Sequence, residues 1–212
     1  MRNHRSHASF SPIAALMAVT LTLGLAACGG YGVSHEDAPE RDPASPSTSE
    51  STGTSRARLY GSVDELAADS AAVLVGRVDA TDVTRDVDGA TDFTLATVTV
   101  LKAVKGSADA DGTVTVRQTG SAAQRTPETL LRTGDVALLF LAESGLPGDQ
   151  AGQYYVTGAG AGLYEAADGD AAALRSVAPG EAEQAVDAAT FNRVDTDSGD
   201  TLPATLRIGD LS

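Results

Sequence analysis

From Phe93 to Val104 the chain reads Phe-Thr-Leu-Ala-Thr-Val-Thr-Val-Leu-Lys-Ala-Val, a run dense in β-branched residues with a period of two. Phe93, Leu95, Thr97, Thr99 and Leu101 alternate with Thr94, Ala96, Val98 and Val100, which sends successive side chains to opposite faces of a strand. A helix repeats every 3.6 residues and would scatter this pattern around its surface. Apolar residues stand on both faces, so the strand is expected to change surroundings along its length, as strands of small coiled barrels do. One long strand cannot stand alone in water, so the rest of the domain must supply a sheet.

The expected partners are short. Residues 72–78 read as a strand, with Gly76 placed where the strand bends or another backbone comes close. Asp111 and Gly112 make a hairpin turn into 113–118, where Val114 and Val116 are expected inward and Thr113, Thr115 and Arg117 outward. Thr133-Gly134-Asp135 leads into 136–141, the most apolar run, and 153–157, 161–165 and 171–177 read as further strands. Ser62 followed by Glu65 is a capping-box pattern for a short helix ending near Asp69. Residues 181–189 suggest another, packing Ala185 and Val186 with Phe191 as an anchor. The expected fold class is mainly β: a small antiparallel barrel, OB-like, or a sandwich, with one short N-terminal helix and a C-terminal helix. Residues 59–178 form the expected barrel, and 179–212 the C-terminal helix and a tail loosely ordered after Arg193, where Leu206 and Ile208 offer an edge strand.

The first 58 residues read differently. Arg2, His4, Arg5 and His7 precede an apolar run ending at Ala27, the order of an export signal over 1–27. The run is too short for a membrane span, and Thr20, Thr22 and Gly24 weaken it. Leu25-Ala-Ala-Cys28-Gly29 resembles a bacterial lipobox, which implies cleavage before Cys28 and diacylglycerol on its sulfur. Cys28 is the single cysteine of the chain, so an intramolecular disulfide is excluded. Residues 28–58 hold Gly, Ser, Thr, Pro and acidic side chains with almost no large apolar residue after Val33, the composition of a flexible tether. The expected location is the extracytoplasmic face of a cell membrane, held by N-terminal lipid.

Within 59–177, the order Ala72-Val-Leu-Val-Gly-Arg-Val78, Val100-Leu-Lys-Ala-Val-Lys-Gly106, Val114-Thr-Val116 and Gly134-Asp-Val-Ala-Leu-Leu-Phe-Leu141 resembles a group of actinobacterial exported proteins. It is also similar to the OB-like barrel of netrin-like modules and tissue inhibitors of metalloproteinases. The shared motifs are structural. Those inhibitors use disulfides and a free terminal cysteine on a catalytic zinc, whereas this domain has no cysteine, so the resemblance implies the barrel without the inhibition.

The chain carries a formal charge of -14. A phosphate-binding surface needs clustered Lys and Arg, and the acidity and the scattered basic residues argue against nucleic acid. All three histidines, His4, His7 and His35, precede the domain, which removes Ser-His-Asp and Cys-His nucleophiles and the Cys/His zinc sets. The domain is therefore not expected to be an enzyme, the alternative being a carboxylate-dependent cell-envelope hydrolase. No cofactor is expected. Calcium is the metal to consider: Asp86-Val-Asp88-Gly89, Asp109-Ala-Asp111-Gly112, Asp168-Gly-Asp170 and Asp195-Thr-Asp197-Ser-Gly-Asp200 put oxygens at alternate positions, as a calcium-dependent adhesion module would. None completes an EF-hand, and tight turns favour the same residues. Gly158-Ala-Gly160-Ala-Gly162 lacks the following helix of a phosphate loop. Tyr154, Tyr155 and Tyr164 would make a recognition patch if they faced outward. The leading expectation is a binding or interaction module whose partner is an envelope protein or glycan.

Overall fold

The structure, a computed structural model, describes residues 58–107 and 112–211. Cys28, the expected leader and the expected tether up to residue 57 lie outside the described residues, as do Asp109 and Asp111.

Helix α1, Val63–Ala68, begins where Ser62 Oγ accepts the Glu65 N–H at 3.2 Å, while Glu65 Oε2 accepts from Gly61 N. The reciprocal cap thus reaches one residue farther back than the expected box. Five strands then close on themselves: β1 Ala72–Thr84, β2 Phe93–Lys105, β3 Thr113–Thr119, β4 Val136–Glu143 and β5 Tyr154–Val156. The order is β1-β2-β3-β5-β4, with β4 returning antiparallel to β1 and β3 parallel to β5. Mainly antiparallel and closed, the sheet is a small OB-like barrel. Three more strands, β6 Leu163–Ala166, β7 Phe191–Arg193 and β8 Thr205–Leu206, extend it from β4.

The apolar runs of β1 and β4 follow from burial on both faces. On one face Leu74, Ala137, Leu139 and Leu141 fill the barrel with Val98, Val100 and Val116. On the other, Val73, Val75, Leu138 and Phe140 meet an outer layer that includes Leu66, Tyr164, Leu174 and Phe191. Sheet buried on both sides loses its polar alternation. Gly76 sits where β2 crowds β1, and an added Cβ would stand 3.0 Å from Thr99 O and inside van der Waals contact with Val98.

Four expectations are corrected. Residues 171–177 do not form a strand; Asp168–Ser176 is helix α2, with Asp168 and Asp170 in its first turn and Ala171 and Leu174, three apart, on its buried face. Acidic residues at a helix start and an alanine run favour this outcome over β structure. The polar stretch after Val78 continues β1 to Thr84, because β2 supplies a partner along its whole length. Arg117 is not outward but fully buried. Finally, the tail is packed rather than loose. Helix α3, Glu183–Ala188, leads to β7, and Leu202 and Leu206 join the core. Thr201 N donates to Tyr60 O at 3.0 Å, and Asp200 Oδ1 accepts Tyr60 N at 2.7 Å. The described residues after 178 therefore belong to the body that holds the barrel; Leu206 does form the edge strand, whereas Ile208 begins a short 3-10 turn.

Candidate functional site

Asp86 and Asp88 lie on the loop joining β1 to β2, but they do not face a common space. Asp86 receives Arg117 through two parallel bonds, Nη1 at 2.8 Å and Nη2 at 2.7 Å. Arg117 Nε donates to Gln153 Oε1 at 2.8 Å, and the guanidinium stands 5.0 Å from the Phe93 ring centre. The bidentate arginine holds the Asp86 carboxyl down at about 2. Asp88 closes its own turn, accepting from the Ala90 and Thr91 N–H groups and the Thr91 hydroxyl, which hold it at about 2 as well. These oxygens are committed to turn and ion pair.

Two aspartates of the later acidic loops are committed in the same manner. Asp170 Oδ2 accepts from Thr190 N at 2.9 Å, tying α2 to the approach of β7. Asp200 accepts from Tyr60 N and from Ser198 Oγ. Among the described residues, no three Asp, Glu, His or Cys side chains gather as a metal-binding group.

The tyrosines do not assemble into a patch. Tyr164 is fully buried against Phe140, with ring centres 6.2 Å apart, and its hydroxyl donates to Pro203 O. Burial raises it to about 12. Tyr154 and Tyr155 are half-buried neighbours on β5. Strand alternation sends them to opposite faces. Gly158 at φ 64° leads into a 3-10 turn over Ala159–Gly162, with no longer helix following.

A concavity of ligand size lies elsewhere, at the end of the barrel where β1 and β2 run past β4. It is a groove of about 460 Å³ between Thr81 and Val83 of β1 and the loop from β3 to β4, which contributes Arg125, Glu128, Thr129 and Arg132. Sites for small ligands commonly fall in this range of volume. A second hollow beside it adds Arg85 and Asp92.

The loop forming one wall is held by side chains. Gly120 takes φ 104° where a Cβ would meet Gln124 O at 2.9 Å. Ser121 Oγ accepts from Ala123 N and Gln124 N and donates to Asp92. Gln118 bridges the loop's far side, donating to Thr129 O and accepting from Leu131 N. Thr94 Oγ1 donates to Gly120 O and Thr126 Oγ1 to Thr119 O. The anchored loop presents Arg125 and Arg132, both exposed, over a floor that includes Leu131.

Sequence reasoning missed this groove because its walls come from separated segments and its arginines stand singly in the chain. The signal available in the sequence is Pro127 with its flanking polar residues, a composition that any surface loop shares. Chemically the groove offers two cations, the Glu128 carboxylate, hydroxyls and apolar contact, a set suited to holding a ligand. The class that strand order and groove define is a small closed OB-like barrel with an added outer layer. No family model and no curated protein matches the chain.

Proposed function

We propose that the protein is a lipoprotein whose barrel acts as a binding module on the extracytoplasmic face of a cell membrane. Cys28 carries the reading: it ends Leu25-Ala-Ala-Cys28, is the single cysteine of the chain, and is followed by a stretch built like a tether. Two or more acyl chains give stable attachment where one gives marginal binding. Among the described residues no helix is long and apolar enough to cross a membrane. The barrel supports the binding half of the reading through its groove, whose loop is fixed before any ligand arrives, so little ordering remains to oppose association.

Metabolic labelling with a palmitate analogue in an exporting bacterial host tests the anchor. The wild-type chain is expected to take label and fractionate with membranes, and Cys28→Ala to lose both. Undiminished labelling of Cys28→Ala would overturn the assignment.

A further inference from the structure

We propose that the free edge of β1 over residues 80–84 accepts an extended acidic segment of another polypeptide as an added strand, with its carboxylates against Arg125 and Arg132. This rests on reading the barrel as a binding module and names its partner's chemistry.

The first observation is an unfinished ladder. β4 covers β1 from Ala72 to Arg77, and Val78 is still bonded on that side, donating to Asp135 O and accepting from Gly134 N. There β4 ends, at a register shift between Val78 and Ala80, while β2 continues alongside β1 to Thr84. Among the described residues, no strand and no backbone hydrogen bond lies on the opposite edge of 80–84. In an antiparallel ladder alternate residues turn both N–H and C=O away from the first partner, so this edge presents a row of open donors and acceptors. The register shift at Val78/Ala80 and the charge of Asp82 are the edge's own protection, but Ala80-Thr81-Asp82-Val83-Thr84 has no lysine or proline, and Val83 is 59% exposed.

The second observation is charge. Arg58, Arg77 and Arg85 each pair with a carboxylate. Among the described residues, Arg125 and Arg132 have no such ion pair within 4.0 Å. Both line the groove into which Thr81 and Val83 project from one face of β1. Side chains on the same face of an added strand would stand over the same groove, since faces are continuous across a ladder. Main-chain pairing then supplies affinity and the two arginines select carboxylates, the division of labour usual in strand addition. Among the described residues neither arginine is locked in an ion pair, although Glu128 shares the groove and the Arg132 charge reaches Glu165, so carboxylates of an added strand would have to compete with these two.

The test uses the purified full chain, lipidated and as Cys28→Ala, with a blocked peptide alternating threonine and glutamate so that its carboxylates share one face. Binding is expected equally to both forms, weakened about tenfold by Arg125→Gln and again by Arg132→Gln. N-methylation of alternate peptide amides is expected to abolish it. Circular dichroism of each variant checks that the fold is kept. Absence of binding, equal binding of a threonine–lysine peptide, or indifference to N-methylation would each overturn the proposal. So would a dimer in sedimentation that occupies this edge, or an oligouronate that binds through the same arginines where the peptide does not. If peptide binding fails while Cys28 is labelled, the strand site falls and the lipoprotein reading stands; binding without lipidation gives the reverse.

Discussion

Two buried arginines have opposite surroundings and should respond differently to removal. Every edge of the Arg117 guanidinium is occupied: Asp86 takes two bonds, Gln153 a third, and Phe93 lies beside it. Arg193 is also buried, but Nη2 alone has a partner, Thr196 O at 3.2 Å, while Nε and Nη1 have none among the described residues. Desolvating a charge costs more than imperfect bonding returns, and a buried ion is often replaced by an apolar side chain without loss. Arg193→Met is therefore expected to stay within about 1 kcal/mol of wild type or to gain stability in urea unfolding. Asp86→Ala should lower the melting temperature more than Arg117→Met, because the first strands a buried charge and the second leaves a partly exposed carboxylate. The pH dependence follows from the same pair. The folded carboxyls of Asp86 and Asp88 titrate at about 2, below the ordinary 3.8, so their stabilisation is complete above about pH 4 and is lost as pH falls toward 2. Thermal melts between pH 5 and 2 should show this loss, and Asp86→Ala should flatten part of it.

At the scale of elements, β1 and β4 set the limits of substitution. Leu138→Ala empties a fully buried position between the barrel wall and the outer layer and is expected to cost roughly 2–5 kcal/mol. Gly76→Ala forces β1 away from β2 and should cost about 1–3 kcal/mol, measured by chemical unfolding. The apolar stretches of these strands were also the most legible in the sequence, whereas the polar half of β1 after Val78 was not. Their long apolar runs, the alternation in β2 and the turns at Asp88-Gly89 and Thr133-Gly134-Asp135 all act locally. The capping of α1 was legible because Ser62 and Glu65 meet within one turn. By contrast, 171–177 looked like a strand because a short alanine-rich run has little periodicity to read; Ala171 and Leu174 acquire meaning once the core they touch is known. Arg117 looked outward by alternation, and its carboxylate arrives from a loop 31 residues earlier. The groove was least legible of all, since Thr81, Arg125 and Arg132 meet only through closure of the barrel.

For the whole molecule, the segment after 178 completes the body. Leu202, Leu206, Val186 and Phe191 cover β1, β4 and β6 from outside, burying faces that would otherwise meet water. Deleting residues 195–211 should abolish a cooperative thermal transition, and a sharp wild-type-like melt from the shortened chain would refute this. The same segment also receives the entry of the chain. Tyr60 is gripped on both of its backbone groups, by Asp200 and by Thr201, at the point where residues 58–60 join the fold. Tension applied ahead of Arg58 therefore reaches this two-bond clasp before it reaches the barrel ladder. Together with the Arg58–Asp69 ion pair, the clasp is expected to open under load before the strands beside the groove separate.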